Sequence, residues 1–245
     1  MRYLKRINLL FFTSFTLFGP ALAYCQGNRQ ESAQELNEAG VALVLEGKKA
    51  QGLEKIVKAC EADPQNTTAL YNQAGILMTE GKFSEAIQIL NRTIEIEPKD
   101  LAFKNRLAEA HIGMGDLPQG IKVYEQILAL NSNSTKVLQR LGTLHASQGN
   151  MERAEYLLRS AYAQDPSDLS TIKNLGTVLF ARKDYQEMLN FLTTAKQQSS
   201  SADIEMLISV AHDALGNPDS AVASYQQAKK LGFTPPQIEI TPINQ

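Results

Sequence analysis

The chain has 245 residues, 43% of them apolar and 20% charged, a composition that excludes a disordered protein. Lys and Arg number 24 against 26 Asp and Glu, so neither nucleic acid nor an anionic membrane surface is an expected partner. Beyond residue 25 no apolar stretch approaches the roughly 20 residues that span a bilayer.

The first element is a leader. Arg2, Lys5 and Arg6 precede an apolar segment, Ile7 to Gly19, followed by Ala21-Leu22-Ala23. A basic start, a short apolar run and small side chains before the cut are the layout of a secretory signal peptide, 1–23, with cleavage expected after Ala23. Two alternatives stand beside it. An uncleaved anchor is disfavoured by Thr13, Ser14 and Thr16, which interrupt a run that is already short. A lipoprotein would use Cys25, but Tyr24 occupies a place that normally carries a small residue. Cleavage leaves 21 basic against 26 acidic residues, a formal charge of about −5, and delivers the chain to the periplasm or the exterior. Cys25 and Cys60, the only cysteines, would both enter an oxidising compartment. Two readings of them remain open: a disulfide closing a loop of about 35 residues, contributing about 3–4 kcal/mol, or Cys60 as a small buried apolar side chain with Cys25 at a frayed end.

After a short segment, 24–32, a 34-residue period runs from Ala33, restarting at Thr67, Leu101, Thr135 and Leu169 and, one residue early, at Ala202. The fifteenth position reads Gly47, Gly81, Gly115, Gly149, Lys183 and Gly216; glycine there takes positive φ and lets the chain reverse. The eighth position is small throughout (Gly40, Ala74, Ala108, Gly142, Gly176, Ser209), and the twentieth nearly so, with Met188 the departure. Small residues at both places let two antiparallel helices approach closely. Pro64, Pro98 and Pro166, at position 32, stop second helices. Each repeat therefore reads as a helical hairpin, with first helices near 34–46, 68–80, 102–114, 136–148, 170–182 and 203–215. Repeat 5 lacks the turn glycine, so a local change is expected there.

These residues resemble the tetratricopeptide repeat family over 33 to 232, as six repeats: 33–66, 67–100, 101–134, 135–168, 169–201 and 202–232. The resemblance implies an all-α fold, a right-handed superhelical solenoid of helical hairpins. The remainder, 233–245, follows Gly232 and contains Pro235-Pro236, so it cannot form the capping helix many members carry. Ile238, Ile240 and Ile243 leave two readings, packing on the last helix or a frayed tail.

Catalytic signatures are missing. The chain has no nucleophile elbow, Walker loop, HExxH or paired CxxC, and no cofactor or metal is expected. His111, His145 and His212 all fall at position 11, where the family usually packs an aromatic, and packing is favoured over metal binding or acid-base work. An envelope hydrolase using them is the reading from a different class.

The resemblance places function on the concave surface, at positions 2, 5, 6, 9, 12 and 13 of each first helix. Position 6 runs Glu38, Asn72, Arg106, Arg140, Asn174 and Leu207. Asn offers a donor and an acceptor to an extended backbone, and Arg offers a planar fork for carboxylates. With Lys136, Lys173 and Asn105 beside them, Asn72, Arg106, Arg140 and Asn174 form the candidate groove for an acidic, extended protein or peptide, Glu109 being a neighbour. The alternative is that Arg106 and Arg140 pair with nearby carboxylates on a solvated face. Val41, Val44 and Leu45 at one end, and Met206 and Val210 at the other, are apolar patches suited to a partner or to a homo-oligomer. The family's chaperone-tail specialisation is excluded: Asn37, Val41, Asn72, Ala102 and Arg106 stand at its places, and only Asn72 and Arg106 agree. The leading expectation is a non-catalytic extracytoplasmic protein–protein interaction scaffold. A pilotin-like accessory factor for pilus or secretion-complex assembly is the narrower alternative.

Overall fold

A computed structural model of the chain describes residues 31–234. The leader, Cys25 with its pairing to Cys60, and the tail from Pro235 lie outside the described residues. Twelve α-helices and no strand occur among the described residues: α1 (Ala33–Leu45), α2 (Lys49–Ala62), α3 (Thr67–Thr79), α4 (Phe83–Ile96), α5 (Leu101–Gly113), α6 (Leu117–Leu130), α7 (Thr135–Ser147), α8 (Met151–Gln164), α9 (Leu169–Ala181), α10 (Tyr185–Gln198), α11 (Ala202–Ala214) and α12 (Pro218–Lys230). Each first helix begins one residue ahead of the span expected from the period.

The helix ends follow from local chemistry. Ser32 caps α1 in a reciprocal box: its hydroxyl accepts from the Glu35 N–H, and the Glu35 carboxylate accepts from the Ser32 N–H at 2.8 Å. Asp100, Asp168 and Ser201 cap α5, α9 and α11 through side-chain oxygens. Second helices stop on an extended residue, Asp63, Glu97 and Asp165 before the three prolines, and Asn131 and Ser199 where serine replaces proline.

Between the helices of one repeat, the turn residue takes positive φ at Gly47, Gly81, Gly115, Gly149 and Gly216. Lys183 adopts φ 66° in repeat 5 and keeps the same bonds, with the Asp184 N–H donating to the Leu179 carbonyl at 3.0 Å. The expected local change is thus absent at the turn. It appears in the packing instead. A Cβ added to Gly40 would fall 2.5 Å from Ile56 and 2.8 Å from the Gly52 carbonyl, and one on Gly142 2.6 Å from Leu158; at Gly176 the nearest atom lies at 3.4 Å. Hairpin 5 is more open, and Met188, fully buried, fills the space.

The described residues fall into two compact units divided after Ala69. In the first, Leu36, Ala59 and Ala69 bury together with half-buried Cys60 against them. In the second, successive helices from α4 to α12 pack pairwise, and α9 also touches both α7 and α11. Ile172, Leu175, Leu179, Met188, Leu192, Ile204 and Ile208 form a continuous core there. Glu205 on α11 is buried where other first helices carry Leu70, Leu138 or Ile172, and the Lys196 ammonium on α10 answers it at 2.5 Å. Among the described residues no helix is long and apolar enough to cross a membrane.

Candidate peptide-binding groove

The groove side chains of the second unit rise from α3, α5, α7, α9 and α11, one helix per repeat, at equivalent positions of a 3.6-residue turn. Arg106 does not reach outward. Its guanidinium lies 3.4 Å from the centroid of the Tyr71 ring, and Nη1 donates to the Tyr71 carbonyl at 2.7 Å. Gly75 makes this possible, since a Cβ there would fall 2.7 Å from Nη1. A cation over an aromatic face, bonded to a carbonyl, is held flat against α3. Arg106 is half-buried and makes no ion pair among the described residues.

Arg140 is exposed and takes no hydrogen bond or ion pair among the described residues; nor does Lys136, four residues earlier on the same face of α7. The alternative in which Arg106 and Arg140 simply pair with carboxylates is therefore not the arrangement seen. Lys173 does pair: its ammonium sits 2.8 Å from Asp203 on α11, both about half exposed. Asn174 donates from Nδ2 to the Thr143 hydroxyl at 3.2 Å, and Gln139 donates to Asp168 at 3.0 Å and to Thr171 at 3.3 Å. These bonds fasten α7 to α9. Between the two helices, Gln139, Arg140, Thr143, Ser170, Lys173 and Asn174 line an open depression of about 420 Å³. Asn72 and Asn105 are half-buried on α3 and α5.

Tyr124 packs from α6 beneath this region, and burial pushes its phenol up to about 12, with the Glu109 carboxylate acting in the same direction and Arg140 against it. Arg140 and Glu109 thus both bear on one buried hydroxyl. Tyr71, Gly75, Gln139, Thr143 and Ser170 were not singled out by the sequence reading. The signal was available, because all five occupy positions 2, 5 or 9 of their repeats.

The three histidines do not converge. Nδ1 of His111, His145 and His212 is buried without a hydrogen-bond partner in each case, and His111 Nδ1 lies 3.6 Å from Asp116, too far for a good bond. Among the described residues no group of three or more His, Cys, Asp and Glu could hold a metal ion. Burial, and then the charge of Arg153, hold His145 below its ordinary value of 6.5 despite Glu125.

The fold has solved counterparts. A crystal structure of PilW, a type IV pilus biogenesis factor, is 18% identical with TM-score 0.63, covering 81% of this chain and 92% of its own. YrrB, described as a tetratricopeptide protein with an unusual peptide-binding site, is 18% identical with TM-score 0.56, covering 86% and 98%. MamA from Desulfovibrio magneticus RS-1 is 13% identical with TM-score 0.61, covering 70% and 97%. At these identities the likeness shows the fold alone. No curated protein matches the sequence. The tetratricopeptide repeat family model matches three overlapping stretches, 43–110, 77–140 and 111–179, together more than half of the 245 residues. The chain belongs to the tetratricopeptide repeat family.

Proposed function

We propose that this chain is a non-catalytic extracytoplasmic scaffold that holds an acidic, extended segment of a partner protein along α3, α5, α7 and α9. One observation carries the reading: Arg140 and Lys136 stand exposed without carboxylate partners among the described residues, beside a depression lined by Gln139, Thr143, Ser170 and Asn174. An unpaired guanidinium with neighbouring amide and hydroxyl groups suits a carboxylate on an extended backbone. Asn72, Asn105 and Arg106 continue the groove toward repeat 2, with Arg106 pre-positioned on Tyr71. Lys173 contributes less, because Asp203 already neutralises it. An extended peptide advances about 3.3 Å per residue, so four repeats at the 8–10 Å spacing of packed helices engage about a dozen residues. Export rests on the leader, 1–23, and the six repeats over 33–232 supply the surface. Val41, Val44 and Leu45 in the first unit, and separately Met206 and Val210 in the second, each offer a further apolar contact for the partner or for another copy of the chain.

The likeness to PilW favours a narrower version, an accessory factor in pilus or secretion-complex assembly. Both versions share a test. The partner is crosslinked in the native envelope, identified and purified, and its affinity is compared for the parent chain and Arg140→Glu. A loss of at least tenfold, about 1.4 kcal/mol, and a weaker salt dependence are expected. Unchanged affinity would overturn the groove assignment.

A further inference from the structure

Charge changes sign along the row of first helices. α7 carries Lys136 and Arg140 and no carboxylate, whereas α11 carries Asp203, Glu205 and Asp213 and neither Lys nor Arg. α9 stands between them with a single ammonium, Lys173, and the Asp203 carboxylate holds it at 2.8 Å. The cationic part of the groove therefore ends at α9. Past that ion pair a carboxylate on a bound segment would meet Asp203 and the exposed Asp213, and like charges repel.

The surface beyond the pair is apolar. Asp203, Met206, Leu207 and Val210 follow one another at helical spacings of three and four, so they share one face of α11. Two contacts turn that face toward α9: the Lys173–Asp203 pair, and Leu207, whose Cδ1 lies 3.5 Å from where a Cβ on Gly176 would stand. Both contacts join residues about 30 apart in sequence, and the same offset sets Val210 level with Phe180. Phe180 is 41% exposed, its ring 5.4 Å from that of Tyr185, while Met206, Leu207 and Val210 are half-buried. An exposed aromatic ring beside half-buried aliphatic side chains is a seat for an apolar group.

We propose that the partner segment held in the groove is itself two-part: acidic residues about three apart meet Arg106 and Arg140, and an aliphatic side chain about five or six residues beyond the second of them sits on Phe180, Leu207 and Val210. The spacings follow from first helices about 8–10 Å apart, with α7 and α11 two such steps apart, and from an extended chain that advances about 3.3 Å per residue. The inference rests on the groove reading above and names the partner's chemistry within it. Charge gives the segment its place, because α5 and α7 offer guanidinium groups that have no ion-pair partner among the described residues, and the apolar seat fixes which way the segment lies.

The test selects binders to the chain from peptides of about a dozen random residues displayed on phage, at low salt, and repeats the selection on Arg140→Glu and on Val210→Glu. Peptides enriched on the parent are expected to carry the acidic pair and, at one constant separation from it, Leu, Ile, Val or Met. Arg140→Glu removes the acidic preference and Val210→Glu the aliphatic one. Should Val210→Glu fail to fold, Phe180→Ser, at a more exposed position, replaces it with the same expectation. Acidic peptides with no fixed aliphatic position overturn this inference and leave the groove reading standing; peptides without the acidic pair overturn both. A parent chain that is dimeric and becomes monomeric on Val210→Glu also overturns the inference, since a second copy then covers the apolar face.

Discussion

Lys183 holds a left-handed backbone, φ 66°, at a turn where five repeats use glycine. A Cβ in that region costs about 1 kcal/mol, and the strain is local, because the turn's hydrogen bonds are those of its glycine counterparts. Lys183→Gly is therefore expected to raise the melting temperature by about 2–4 °C, read by calorimetry; no rise would mean that the lysine side chain offsets the strain. A second prediction concerns His145, whose folded-state value burial holds below 6.5. A base depressed on folding favours the folded state above its ordinary value, and that contribution is lost as pH falls from about 6.5 through the lower folded value. The parent should lose stability between pH 7 and 5. His145→Leu, matching Leu43, Leu77 and Leu179 at the same position, should lose less in thermal melts over that range. Arg106 shows where residue-level reading stops: its side-chain type was visible, but its place against Tyr71 depends on Gly75, 31 residues earlier.

Helices and turns were the most legible level, because a 34-residue period repeats one set of constraints six times. Where a repeat breaks the pattern, the compensation lies in another residue and is harder to read. Met188 replaces a small residue and the hairpin opens around Gly176 to accept it. Glu205 replaces an apolar residue and is answered by Lys196 from the preceding helix. Neither adjustment follows from composition or spacing. The differing helix separations lead to a direct comparison. Gly40→Ala forces a Cβ to 2.8 Å from the Gly52 carbonyl, which cannot rotate away, and should cost about 2 kcal/mol. Gly176→Ala meets only ordinary contacts at 3.4 Å and should be neutral, or stabilising by up to about 1 kcal/mol through helix propensity. Denaturant midpoints with unchanged m-values check both.

For the molecule as a whole, family and function separate along a physical line. The repeat is written in residues that pack, so it is visible in the sequence and in its match to the family model. The partner is selected by the side chains left over after packing, and which of those remain available was not readable. Four cations were candidates; Lys173 is taken by Asp203, Arg106 rests on Tyr71, and Arg140 and Lys136 remain. The central claim is that a partner segment lies extended across the first helices. It is tested most directly by placing a photocrosslinking residue at Thr143, at Thr177 or at Tyr156, all exposed, the first two on α7 and α9 and the third on α8. Thr143 and Thr177 should capture one partner at sites about three residues apart, with nothing captured from Tyr156. Capture from Tyr156 alone would contradict the account.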